Sequence, residues 1–176
     1  MAHDHRTESF FRFLSLGSAI RFAEEIRDII DHAPLFEKLS FQEIKAMCSF
    51  MECYAAERGS VLIREGERSS DLLVVLTGSV DVFRRNADGA RERIAKIGPG
   101  QVLGEMSLID GQPRTASCIA DEPVDFAVLT SDALDEILMI HPRLGNKLLL
   151  LLLNLFSERL RHALSLAVPH RAAYAV

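Results

Sequence analysis

The rhythm of apolar and polar positions changes twice along the chain. From about Ser9 to Met51 it is helical, with Leu16, Ile20, Ala23, Ile26 and Ile30 on one face. Ala33-Pro34 interrupts that face, because a residue before proline avoids the α region. Ser40 followed by Glu43 is a capping-box pattern and predicts a second helix over 40–51. From Glu52 to Thr130 short β-rich runs alternate with Gly, Asn and Asp, predicting strands near 52–57, 60–64, 71–77, 79–85, 91–97, 116–120 and 124–129. In Ser79-Val-Asp-Val-Phe the apolar residues fall on every second position, as a half-buried strand requires, and Asn86-Ala-Asp-Gly89 is a hairpin loop signal. After Thr130 the pattern is helical again. Ser131 or Asp132 caps one helix, with Asp135 and Glu136 in its first turn. Pro142 opens a further helix running to about Ala167, and Pro169 marks its end.

Many short strands between helical ends predict an α+β chain, an antiparallel β-roll or jelly roll flanked by N-terminal helices and a C-terminal helical lid. Three segments follow: a helical 1–51, a β-roll 52–130 and C-terminal helices 131–176. The 176 residues, 48% hydrophobic and 26% charged, are enough for one domain with a sizeable core. A net charge of −5 argues against binding driven by nucleic-acid phosphates, which needs a basic face. Three cysteines without CxxC spacing, Cys48, Cys53 and Cys118, fit a reducing cytoplasm better than a disulfide framework. The longest apolar run, Leu148 to Phe156, is broken by Asn154 and is short of the ~20 residues a membrane span needs. A jelly roll can also host a metal enzyme, whose histidines point into the barrel. His3, His5, His32, His141, His162 and His170 all lie outside the β segment, so that reading fails. No nucleophile–base pair stands out, and the chain reads as a non-enzyme without a cofactor.

The chemistry concentrates in residues 97–120, IGPGQVLGEMSLIDGQPRTASCIA. Gly98, Gly100 and Gly104 let backbone approach a ligand closely. Glu105-Met106-Ser107-Leu108 can form one helical turn whose free N–H groups suit an anion. Arg114 can return to the same pocket and pair with a phosphate through two hydrogen bonds, while Glu105 can accept from a sugar hydroxyl. These groups describe a site for a phosphorylated sugar. They also fit a Gly-rich turn with a surface Glu–Arg pair, and spacing alone leaves both readings open.

Gly104-Glu105-Met106-Ser107-Leu108 followed by Pro113-Arg114-Thr115-Ala116 closely resembles the phosphate-binding cassette of cyclic nucleotide-binding domains. Gly59, Glu65-Gly66, Gly78 and Ile97-Gly98-Pro99-Gly100 sit where that family places its β-roll glycines, and the resemblance covers roughly 35–165. It implies that Glu105 accepts from the ribose 2′-hydroxyl and that Arg114 pairs with the cyclic phosphate. The amides of Ser107 and Thr115 complete the cradle, with Gly104, Met106 and Ala116 in the same cassette. Ile97 would meet the base, and Leu155 and Arg159 are candidate lid residues on the last helix. A hydroxyl at Thr115 can help hold guanine in the family but also occurs in domains that bind cyclic AMP. Thr115 leaves the base open; the resemblance to bacterial-type receptors implies cyclic AMP as the ligand, with cyclic GMP the alternative.

Leu148 to Leu153 is apolar on every face, so the domain can cover one side and a second copy of the chain the other. A homodimer through this helix is expected. Family members that bind DNA carry a helix-turn-helix, yet residues 131–176 hold five basic and four acidic side chains and no basic reading head. The expected partners are thus a cyclic nucleotide, a second copy and an unidentified protein effector, with neither nucleic acid nor membrane. Two alternatives are a dimeric β-roll interaction module with a non-binding cassette and a DNA-binding regulator lacking its reading head.

Overall fold

The structure, a computed structural model, describes residues 10, 12–30 and 38–167. The expected break at Ala33-Pro34 and the stop at Pro169 lie outside them. Among the described residues, nine strands form two antiparallel sheets. The five-stranded sheet has the order β1 (Leu14–Ser18), β2 (Glu52–Ala56), β9 (Val124–Thr130), β4 (Asp71–Val75), β7 (Val102–Leu103). The four-stranded sheet runs β3 (Val61–Ile63), β8 (Ser117–Ala120), β5 (Val80–Arg85), β6 (Arg91–Ile97). The helices are α1 (Ala23–Ile30), α2 (Phe41–Cys48), α3 (Glu105–Asp110), α4 (Ser131–Ile140) and α5 (Pro142–Ala167). The expected α+β roll with flanking helices is what the chain forms.

Three layers result, and β4 shows why. Its residues are buried on both faces, so it reads as a continuous apolar run rather than an alternation. Leu73 and Val75 pack between the sheets with Val80, Phe126 and Val128. Leu72 and Val74 pack against the helices, in a cluster with Ile26, Ile44, Ile137, Leu148, Leu151 and Leu152.

The N-terminal segment is not wholly helical. Leu14–Ser18 is a strand that adds to the edge of the sheet, with Leu14 opposite Ala55 and Ser18 opposite Glu52. Leu16 and Ile20 have helical spacing, but Gly17 between them takes φ 87°, a left-handed conformation no α-helix contains. The helix proper begins at Ala23, after a 3₁₀ turn over Ala19–Phe22. The capping box at α2 forms as expected: the Ser40 hydroxyl accepts from Glu43 N–H, and the Glu43 carboxylate accepts from Ser40 N–H. That carboxylate also accepts a hydrogen bond from Lys147 Nζ at 2.8 Å, which ties α5 to α2 and holds Glu43 below the usual carboxylate range. At α4 the cap is Thr130, whose hydroxyl accepts from Ala133 N–H, rather than Ser131 or Asp132. Pro142 opens α5.

The domain covers one side of α5, as expected for a run that is apolar on every face. Leu148, Leu151 and Leu152 are buried in the helical cluster, whereas Leu150, Leu153, Leu160 and Leu164 are each more than half exposed. Among the described residues no helix is long and apolar enough to cross a membrane.

Candidate functional site

β7 delivers the chain to Gly104, which takes φ 79° and leads directly into α3. Only six residues long, α3 leaves its first N–H groups without helical carbonyls to bond. Glu105, its first residue, is 2% exposed, and Ser107 is 3% exposed. The chain then returns through Pro113 to Arg114, whose backbone is clamped at both ends: Arg114 N–H donates to Glu67 O at 2.9 Å, and Gly66 N–H donates to Arg114 O at 2.8 Å.

The Arg114 side chain is 4% exposed and held from three directions. Nε donates to Ser69 Oγ at 2.9 Å, Nη1 to Gly104 O at 2.7 Å and Nη2 to Asp71 O at 2.7 Å. Burial pulls the guanidinium below its ordinary pKa, and the Asp71 carboxylate, with Oδ2 at 3.9 Å, opposes that. An arginine has five N–H donors. Three are spent on anchoring, so two stay available in a direction the anchors have already set.

Arg114, Glu105 and the start of α3 share one cavity of about 320 Å³ with the C-terminal helix, at the small end of ligand pockets. Of the sequence-predicted residues, Ile97, Gly104, Glu105, Met106, Ser107, Arg114, Thr115, Ala116 and Arg159 all line it. Leu155 does not. It packs against the helical cluster instead, because the stripe of α5 that carries Leu148, Leu151 and Leu155 covers that core and reaches the cavity only one turn later, at Arg159. There Arg159 Nη1 donates to Glu105 Oε1 and Nη2 donates to Val102 O at 3.2 Å. Thr115 is exposed, with Oγ1 4.0 Å from Met106 Sδ.

The apolar wall includes residues that sequence reasoning missed. Ile63, Val82, Leu103 and Cys118 line it from the strands, and Ile94 and Ala95 from β6. Alternation along β6 hides the last two. Val82 faces Ala95 while the next residue, Phe83, faces Arg93, so a bulge at Ile94 turns two neighbours toward one cavity. Burial pushes the Cys118 thiol up to about 12, so it faces the cavity as a neutral, apolar group. Among the described residues no group of three His, Cys, Asp or Glu side chains could hold a metal ion.

Gly104 is where the site is least tolerant. A Cβ there would fall on Arg114 Nη1 and lie 2.6 Å from Asp71 O, at a positive φ that side chains rarely adopt. Gly104→Ala is therefore expected to cost about 1–3 kcal/mol, a drop in melting temperature of about 2–12 °C, measurable by calorimetry.

This cassette on a β-roll, with a helix over its mouth, defines a domain class, and comparison with known proteins agrees. A profile of the cyclic nucleotide-binding domain matches residues 55–141. The crystal structure of a cyclic nucleotide-binding domain from Methylobacillus flagellatus superposes with a TM-score of 0.84 at 40% identity, covering 98% of this chain and 99% of that one. The chain belongs to the cyclic nucleotide-binding domain family. It is also similar to the cyclic AMP receptor protein of Thermus thermophilus, 30% identical over 74% of this chain and 59% of that protein. With the cAMP-dependent protein kinase regulatory subunit of Mycosarcoma maydis it shares 33% identity over 54% of this chain. The chain thus spans little more than half of the first relative and 18% of the second.

Proposed function

We propose that this chain is a cyclic nucleotide receptor that performs no catalysis. The observation that carries the reading is Arg114: a buried guanidinium, anchored on three sides, with two donors to spare beside a buried carboxylate. A purine 3′,5′-cyclic monophosphate matches that pair. Its single phosphate charge meets Arg114 and the amides of Ser107 and Thr115, its ribose 2′-hydroxyl donates to Glu105, and its base lies against Ile94, Ala95 and Ile97. The Thermus and Mycosarcoma relatives, a cyclic AMP receptor protein and a cAMP-dependent protein kinase regulatory subunit, support cyclic AMP as the ligand. Titration calorimetry with cyclic AMP, cyclic GMP and linear 5′-AMP tests the reading. Heat from the cyclic nucleotides alone supports it, and no binding by either at millimolar concentration sinks it in favour of an interaction module with a silent cassette.

The strongly typed polar groups all face the sugar and phosphate, so the base is held less specifically. Both nucleotides are expected to bind within about an order of magnitude. Thr115→Ala should weaken cyclic GMP more than cyclic AMP by roughly two- to twelvefold, the worth of one hydrogen bond at ~0.5–1.5 kcal/mol. A preference beyond about a hundredfold, ~2.8 kcal/mol, would mean that a further residue reads the base.

The output of the receptor runs through α5, which pairs with the α5 of a second copy. The exposed leucines support this. Leu150, Leu153, Leu160 and Leu164 follow one another at spacings of three, seven and four, the a/d rhythm of a coiled-coil seam with Ser157 in the gap. A cytoplasmic protein effector would then read the helix pair.

A further inference from the structure

Glu105 and the distal half of α5 meet in one ion pair. The Glu105 side chain is 3% exposed and that of Arg159 44%, so the guanidinium lies on the solvent side of the carboxylate. From Ser157 to Ser165 every residue of α5 is exposed. Among the described residues of this stretch, Arg159 supplies the side-chain hydrogen bonds that reach out of the helix, to Glu105 and to the Val102 carbonyl. Those two acceptors flank Gly104, at the entry to α3.

Resting on the reading of the pocket as a cyclic nucleotide site, we propose that Arg159 is a latch that competes with the ligand. The carboxylate that would accept the ribose 2′-hydroxyl is already bonded to α5 through Oε1. Ligand and latch therefore claim one group. Binding of nucleotide displaces Arg159, and the distal half of α5, which carries Leu160 and Leu164 toward the second copy, loses its tether to the sheet. A lid residue would act in the opposite sense, closing on the ligand and tightening its hold. The two roles predict opposite signs for one substitution.

Competition of this kind lowers apparent affinity by the fraction of molecules in the latched state. In the full chain, Arg159→Ala is expected to bind cyclic AMP and cyclic GMP about three- to thirtyfold more tightly, ~0.7–2 kcal/mol. Without nucleotide, amide hydrogen exchange over residues 155–165 should be faster in Arg159→Ala than in the unmutated chain, and nucleotide should speed the same amides in the unmutated chain. Arg159→Ala should speed that exchange less in a Glu105→Ala background than in the unmutated chain, since the ion pair is already gone there and only the bond to the Val102 carbonyl remains to be lost. Weaker binding by Arg159→Ala overturns the latch and makes Arg159 a ligand contact; unchanged affinity overturns it as well. Uptake of neither nucleotide by either chain overturns the receptor reading, and the exchange data separate the two failures. Faster exchange in Arg159→Ala still reports the tether, and unchanged exchange removes it.

Discussion

Replacing Arg114 by alanine is expected to weaken cyclic nucleotide binding by roughly 30-fold to several-thousandfold, the ~2–5 kcal/mol lost when one partner of a buried charge pair is removed. The size of the effect comes from preorganisation. Ser69, Gly104 and Asp71 hold the guanidinium before any phosphate arrives, so little ordering is left for binding to supply. Arg114→Lys separates charge from geometry. Lysine keeps the charge but presents a point donor in place of a planar fork, and it cannot serve three anchors and a phosphate together. A loss for lysine within a few-fold of the loss for alanine is the expected outcome. Because either change also frees the Asp71 carbonyl, melting temperature is measured alongside titration. A folded Arg114→Ala chain with unchanged affinity would place the phosphate elsewhere.

The second large effect concerns α5. Leu153→Glu and Leu160→Glu are each expected to weaken the proposed dimer by roughly a hundredfold to ten-thousandfold, since in the proposed symmetric seam each would remove two buried leucines at about 1.5–3 kcal/mol apiece. Both leucines are exposed in the single chain, 59% and 61%, so the domain itself should stay folded. Leu152→Glu serves as the contrast. Leu152 is 5% exposed within the helical cluster, and a charge there should unfold the domain rather than split a dimer. Light scattering reads the outcome, and a monomer mass for the unmutated chain at micromolar concentration would remove the seam.

How much of this was legible in the sequence depended on the range of the interaction. Apart from β7, two residues long and unpredicted, the strands from 52 to 130 were legible because glycine and Asx turns bracket the runs, and the α2 capping box because Ser40 and Glu43 lie three residues apart. The strand at Leu14–Ser18 was not, since Leu16 and Ile20 satisfy helical spacing and only pairing with β2 decides. In the leucine run of α5 an apolar residue stands on every face, so periodicity could not say which leucines the domain keeps or that Leu155 belongs to the core. The cassette itself was readable, but the anchors of Arg114 were not. Ser69 and Asp71 lie more than forty residues before it, and nothing local in their sequence points to a guanidinium.

Strand order carries a consequence for how the chain comes into being. Among the described residues β9 is the last strand in sequence, yet it lies in the middle of its sheet, with β2 on one side and β4 on the other. A nascent chain emerging N-terminus first can form the β5–β6 hairpin early, from neighbouring residues. The central seam must wait until Thr130 has left the ribosome, and until then β2 and β4 each present an unpaired edge. Pairings of such long sequence separation close slowly, because loop entropy is lost before any contact rewards it. Arg114 reaches the Asp71 carbonyl at the first residue of β4, the strand that β9 secures. The anchored Arg114 therefore arrives late in folding, with the sheet.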